Sequence, residues 1–316
     1  MKKNDRSIKK VIKNRIELQL GQKHASNKKV VKKQETKMNE RHKLRIDGTP
    51  SPKHMSVGLV GRKAIRSGIP NKIDKYGEEP VLEFAAGKEF EHVIVTPFYL
   101  RKNILEIFCE KIKELQEHHD IHVILIGSNS FENEKQFVQS YGFDYLYHPN
   151  RPLSNKWNYG VLALKQLKFK KLVVLGSDDI ISSNLFKRLS ENIDYGCDMT
   201  GVLDIYFHDL EKNKTYYWSG YNSKSPRFKE SVGAGRFYSS KLIEEFKYML
   251  WNNNLNSGLD RNVSGKLKNK KVVVSKMLDD EFLIDIKNTK TQISKLSDFK
   301  DSMRLKQLKY DFKYIK

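Results

Sequence analysis

KLVVLGSDDI, residues 171–180, sets the reading of the whole chain. Leu172, Val173, Val174 and Leu175 form an unbroken apolar run, and two aspartates, Asp178 and Asp179, follow side by side. Such a run fits a strand covered on both faces, as in a parallel sheet. In open α/β sheets ligands collect at the carboxyl ends of the strands, which is where the aspartates fall. Taken alone, such an Asp-Asp pair is also explained by a turn or a helix cap. Adjacent carboxylates repel, and both stay ionised only beside a cation.

The same pattern extends upstream. EHVIVTPF (91–98), IHVILIGSNS (121–130) and FDYLYHP (143–149) read as strands. Between them, LRKNILEIFCEKIKELQEHH (100–119) places apolar residues at 104, 105, 108, 112 and 115, the spacing of a helical stripe. ENEKQFVQSYG (132–142) predicts a short helix, and NKWNYGVLALKQLK (155–168) repeats the spacing through Trp157, Val161, Leu164 and Leu167. Past the aspartates, SSNLFKRLSENI (182–193) predicts a helix with Ser183 as its N-cap. Strand and helix alternate over 90–195, which predicts a doubly wound α/β domain.

Beyond residue 200 the pattern changes. DIYFHDL (204–210) and KTYYWSGY (214–221) predict an antiparallel hairpin. VGAGRFYS (232–239) leads into a helix, SKLIEEFKYMLW (240–251), and KKVVVSKML (270–278) is a further strand. FLIDIKN (282–288) reads as an edge extension. A Lys-rich tail carries Phe299, Met303, Leu308 and Phe312 at approximately helical spacing, so a C-terminal basic helix is expected over 297–316.

The chain has 316 residues and a formal net charge of +21, unevenly placed. Residues 1–50 hold 16 Lys/Arg and 5 Asp/Glu, a net of +11. A basic arm, partly helical or disordered, is expected there, and it suits a polyanion such as nucleic acid. The lysine-rich composition of the whole chain is a plainer source of the same charge. Residues 51–89, with VGLVG, SGIP and YGEEP, read as an irregular connector. Cys109 and Cys197 point to reduced thiols and exclude a Cys-based zinc site of the usual kind. No apolar run reaches the roughly 18 residues of a membrane helix, and the N-terminus lacks the apolar core of a signal peptide. The expectation is a soluble cytoplasmic protein, or one of the host cytoplasm if the source is viral.

Taken in order, these segments resemble the nucleotide-sugar-dependent glycosyltransferases of GT-A fold, close to their family 2 group, over residues 90–290 or so. TPFYLR (96–101) resembles the family's opening strand end, and RPLSNKWNYGVLALK (151–165) its donor-side helix, with Asn158, Gly160 and Lys156. GSDD (176–179) resembles the Asp-x-Asp metal signature, VGAGRFYSSKLI (232–243) the glycine-bearing acceptor loop, and SGLDRN (257–262) the acidic loop that supplies a base. The fold so implied is a Rossmann-like sandwich around a central, mostly parallel sheet, assigned to residues 90–296.

The implied reaction is inverting sugar transfer, hexosyltransferase-like, from a nucleoside diphosphate to an acceptor hydroxyl. Asp179, helped by Asp178, would hold Mn²⁺ or Mg²⁺. Thr96, Pro97, Tyr99, Ser128, Lys156, Asn158 and Asp178 would face the donor. Gly233, Gly235, Arg236 and Trp218 would face the acceptor, and Asp260 would be the general base. Lys156 or Arg236 would add positive charge to the leaving group; for Lys156 a solvated helix-start position is the plainer reading. His208 is a candidate extra metal ligand against the plainer reading of a hairpin histidine, and Tyr216, Tyr217, Trp218 and Tyr221 are a candidate platform against strand packing. Two departures stand out. Ser177 occupies the place of the signature's first acid, and Gly127, Ser128, Asn129 and Ser130 replace the acids that end the second strand. Two acceptors fit: a hydroxymethylated base in DNA, reached with the basic arm, and a saccharide or wall polymer. A different class also fits, a non-catalytic nucleic-acid-binding protein with an inactive transferase-like domain.

Overall fold

The computed structural model describes residues 79–287 and the backbone of a strand at 303–305; the basic arm, most of the connector and the rest of the C-terminal tail lie outside the described residues. The alternation expected over 90–195 is present. It runs β1 (Glu89–Pro97), α1 (Lys102–Gln116), β2 (Ile121–Gly127), α2 (Glu134–Ser140), β3 (Asp144–Tyr147), α3 (Leu153–Ala163), β4 (Lys168–Val174), β5 (Asp179–Ile181) and α4 (Ser183–Asp194). Then come β6 (Met199–Val202), β7 (Ile205–Asp209), β8 (Lys214–Trp218), β9 (Arg236–Ser239), α5 (Ser240–Glu245), α6 (Leu259–Lys266), β10 (Val272–Ser275), β11 (Leu283–Lys287) and β12 (Met303–Leu305).

Seven strands form the central sheet in the order β10-β6-β9-β4-β1-β2-β3. β9 runs antiparallel to both β4 and β6, whereas the other neighbours are parallel. This is the mostly parallel α/β sandwich that the sequence predicts. All seven residues of β2 are buried, as expected for a strand covered on both faces. One face packs Val93, Val95 and Ile126 against Trp157 and Val161 of α3. On the other, His92 of β1 meets Phe186 of α4 with ring centroids 4.8 Å apart. The α1 stripe of Ile104, Leu105, Phe108, Ile112 and Leu115 is buried as its spacing requires.

A second sheet, β12-β8-β7-β11-β5, holds the remaining strands, including the expected hairpin of β7 and β8. Ile104 of α1 joins Ile180 of β5 and Ile286 of β11 in a small apolar cluster between helix and second sheet.

Several expectations change. KKLVVLGSDDI is two strands in two sheets, because the chain turns at Gly176. Ser182, not Ser183, caps α4, accepting from the Leu185 N–H at 3.3 Å, while the Ser183 hydroxyl lies 2.9 Å from His119 Nε2. Helix α5 stops at Glu245, where Lys247 and Tyr248 take left-handed φ of 52° and 60°. FLIDIKN is not an edge: β11 lies between β5 and β7. Residues 303–305, inside the expected C-terminal helix, form a strand against Tyr216–Trp218 of β8, where backbone pairing at an open sheet edge prevails over the tail's side-chain spacing. The core also begins before residue 90. Asp144 accepts from the N–H groups of Glu83, Phe84 and Ala85 at 2.6, 2.9 and 3.0 Å, and Leu82 and Ala85 are buried. Among the described residues no helix is long and apolar enough to cross a membrane.

Candidate active site

The turn after β4 builds an acidic cluster. Asp179 N–H donates to the Gly176 carbonyl at 3.1 Å, and the Asp179 carboxylate accepts from Gly176 N–H at 2.5 Å. A Cβ on Gly176 would lie 2.8 Å from oxygens of both aspartates, so glycine is what lets the two side chains fold over this turn. β5 then pairs with β11, setting Asp179 opposite Asp285, and Ile286 N–H donates to the Asp178 carbonyl at 2.7 Å. One carboxylate oxygen each from Asp178, Asp179 and Asp285 thereby falls within 4.8 Å of the others.

Two cations face these three acids. Arg101 Nη1 lies 2.8 Å from Asp178 Oδ2, and Lys287 Nζ lies 2.5 Å from Asp285 Oδ2. Burial, with the charges of Asp178 and Asp285 beside it, holds the Asp179 carboxyl well above the usual range. Burial also pushes Asp285 up to about 7, against the pull of Lys287. Asp285 Oδ1 is buried with no hydrogen-bond partner. A buried carboxylate oxygen without a donor is costly, and an oxygen-only ligand set short of positive charge suits a hard divalent cation such as Mg²⁺ or Mn²⁺. The residues present therefore fit the metal that the resemblance implies. Asp285 was missed in the sequence; the available signal was an aspartate between Ile284 and Ile286, inside an apolar run where strands disfavour it.

Most of the residues expected to face a donor gather at the carboxyl ends of β1 and β2. Thr96 is wholly buried with an unpartnered hydroxyl, Pro97 ends β1, and Tyr99 is exposed beyond it. Lys156 is not a solvated helix-start residue. It is wholly buried, and its ammonium donates to the Phe98 carbonyl at 2.5 Å and to Ser128 Oγ at 2.7 Å. Burial lowers its pKa to about 7, with Glu134 pulling the other way. Ser128 Oγ in turn donates to the His148 carbonyl at 2.7 Å. Lys156 thus ties together three loops at one edge of the sheet. Glu134, unnoticed in the sequence, accepts from the N–H groups of Ser128, Asn129 and Ser130 at 2.9, 2.8 and 2.9 Å. Asn158 stands apart from this group: its amide donates to the Trp251 carbonyl at 2.8 Å and accepts from the Trp251 N–H at 3.1 Å. It fastens α3 to the 251–253 loop, and Gly160 lets α3 approach the sheet.

Among the residues expected to face an acceptor, β9 brings the glycine loop to the same edge. Arg236 pairs with Val174, and Gly235, at φ 66°, donates to the Val174 carbonyl at 2.9 Å. A Cβ on Gly233 would stand 2.3 Å from Asp260 Oδ1, so that glycine lies directly against the expected base. Asp260 is in the first turn of α6 rather than in an open loop. Arg236 is 1% exposed. Its guanidinium donates to the Val232 and Ser231 carbonyls at 2.8 and 3.0 Å, so it braces the glycine loop instead of facing a leaving group. Trp218 is buried in the second sheet, edge-on to Tyr221 at 4.8 Å, and Tyr217 donates to Asp204 at 2.7 Å; these aromatics pack rather than form an open platform. His208 lies 3.0 Å from Thr215 Oγ1 within the hairpin, outside the acidic cluster.

The glycosyl transferase family 2 model matches residues 93–246. No curated protein matches the chain. Among solved structures, S. aureus TarS 1–349 aligns with 15% identity and a TM-score of 0.45, over 62% of this chain and 60% of that one. The same fragment in complex with UDP-GlcNAc aligns with 16% identity and a TM-score of 0.44, over 64% and 60%. S. aureus TarS aligns with 15% identity and a TM-score of 0.45, over 62% and 37%. The chain therefore spans less than two thirds of the length of each of these structures. The family match starts within β1, takes in the aspartate turn and the glycine loop, and ends just past α5, so residues 93–246 are similar to the glycosyl transferase family 2 domain.

Proposed function

We propose that this domain moves a sugar from a nucleoside diphosphate to an acceptor hydroxyl, with inversion at the anomeric carbon. The observation that carries the reading is the convergence of Asp178, Asp179 and Asp285 around an unpartnered carboxylate oxygen, at the edge where the glycine loop and Asp260 also arrive. Asp179, Asp178 and Asp285 would hold Mn²⁺ or Mg²⁺, which when bound neutralises the departing diphosphate. Thr96, Pro97 and Tyr99 flank the nucleoside, with the Ser128 loop held in place by Lys156 and Glu134. Asp260 takes the acceptor hydroxyl proton as the oxygen attacks the anomeric carbon. The new glycosidic bond forms on the face opposite the breaking bond to the diphosphate, and the electron pair leaves with the nucleotide.

A panel of nucleotide sugars incubated with Mn²⁺ tests this. One donor should be hydrolysed slowly by the wild type, and Asp179→Asn should abolish that turnover without a change in melting temperature. No hydrolysis of any donor, together with no metal-dependent nucleotide binding, would favour the inactive, nucleic-acid-binding alternative.

For the acceptor we propose a hydroxymethylated base in DNA. The net +11 of residues 1–50 supports it, since an arm of this charge tracks phosphates while the base is turned out into a site. Duplex binding should weaken steeply with salt and disappear when residues 1–50 are deleted. Binding indifferent to both would point to a saccharide or wall polymer instead.

A further inference from the structure

Arg101 has no role in the reaction described above, yet it touches the acidic cluster. It sits between β1 and α1, and its Nη1 is 2.8 Å from Asp178 Oδ2, with the two side chains 16% and 20% exposed. The other cation of the cluster, Lys287, is 8% exposed and belongs to a paired strand, β11. Of the two, Arg101 is the one at the mouth of the cluster and on a turn.

That turn is strained. Leu100 and Arg101 are consecutive non-glycine residues at φ 56° and 53°, a left-handed pair that L side chains resist. Leu100 N–H donates to Ser130 Oγ at 2.8 Å, and the Phe98 carbonyl accepts from Lys156. One four-residue turn therefore touches the donor-side loops through Phe98 and Leu100, and the acids through Arg101. A mostly buried ion pair gains little net stability, because desolvating the two charges offsets their attraction, so the contact does not by itself account for the strained backbone. A guanidinium, by contrast, is the side chain suited to gripping a phosphate through two parallel hydrogen bonds.

We propose that Arg101 is a two-position residue: it neutralises Asp178 while the site is without donor, and it moves to the donor diphosphate once Asp178 serves a divalent cation. The proposal rests on the donor reading above and adds a phosphate-binding residue from the turn after β1. It makes the two binding events respond in opposite directions to loss of the guanidinium. Without Arg101 a competing cation is gone from Asp178, so Mn²⁺ alone binds more tightly. The diphosphate loses a partner, so nucleotide binds more weakly.

Calorimetric titration of the full chain with Mn²⁺ alone, and then with UDP, GDP, ADP and CDP in saturating Mn²⁺, separates these effects for wild type, Arg101→Gln and Arg101→Lys. R101Q should bind Mn²⁺ several-fold more tightly and its preferred nucleotide roughly tenfold more weakly, as expected for one lost charge-assisted contact. R101K should keep wild-type Mn²⁺ binding and lose part of the nucleotide affinity; it carries the test where R101Q does not fold. Parallel weakening of both titrations would make Arg101 a structural residue, and no change in either would make it a bystander; each overturns the proposal. A wild type that binds none of the four nucleotides with Mn²⁺ overturns the donor reading itself, whereas normal wild-type binding unchanged in both variants removes only the role of Arg101.

Discussion

A methyl group at position 233 would stand 2.3 Å from Asp260 Oδ1 and 2.6 Å from its Cγ. Neither atom can stay where it is, so Gly233→Ala should turn the proposed base out of line. Misplacing a reacting group by about 1 Å costs on the order of a hundredfold in rate. Transfer to acceptor should therefore fall by about that factor, while Mn²⁺-dependent nucleotide binding is retained, because the carboxylate cluster lies on other strands. Equal loss of transfer and of nucleotide binding would show that the loop only supports the fold. Arg236 shows the same local logic in reverse. A fully buried guanidinium braced by backbone carbonyls positions the loop, and its charge is not available to a leaving group. The sequence shows the arginine beside the glycines, but not which way it points.

Helix α3 joins packing to the proposed donor side. Its Gly160 faces Ile126 and Val95, and a Cβ there would come within 2.4 and 2.7 Å of their side chains. Both neighbours are wholly buried in the central sheet. Gly160→Ala should therefore cost about 1–3 kcal/mol through overpacking, read as a lower urea midpoint. Lys156 rides on the same helix, so nucleotide affinity should fall with it. An unchanged midpoint would mean that α3 has slack against the sheet. The Asn-x-Gly pattern was legible in the sequence as a feature of a donor-side helix. In the structure Asn158 clamps the helix to the Trp251 loop and Gly160 lets it pack closely, which leaves Lys156 as the member that reaches the strand ends.

At the scale of the whole molecule, stability should depend on pH through a histidine under the central sheet. His92 is 4% exposed, its Nδ1 3.0 Å from the Asp120 carbonyl and its Nε2 2.8 Å from Ser190 Oγ. With Nδ1–H donating to the carbonyl, Nε2 of the neutral ring accepts from the serine. Burial lowers its pKa to about 4, with Lys171 adding to the effect and the Asp120 carbonyl opposing it. Because the folded state resists protonation, the unfolded chain binds the extra proton once pH drops below about 6.5. Stability is then lost progressively between about 6.5 and 4, by on the order of 3 kcal/mol from this residue. Urea midpoints at pH 7 and 4.5 should differ less for His92→Gln than for the wild type. Equal acid sensitivity in the two proteins would rule out His92 as the source.

By itself the sequence determined the strand–helix alternation, the second hairpin, the aspartates at a strand end and the glycine loop, because each is written in a local pattern of apolar spacing or turn residues. The α1 stripe shows how far such a pattern reaches: five expected positions are buried. Tertiary structure alone decided which distant segments meet. Asp285 joins Asp178 and Asp179 only because β11 pairs with β5, and Asp260 faces Gly233 only because β9 inserts beside β4. Strand pairing across long separations leaves no periodic trace in either partner. The same holds for Lys156, for which a solvated helix-start position is the plainer reading of the sequence and whose actual partners come from other strand ends.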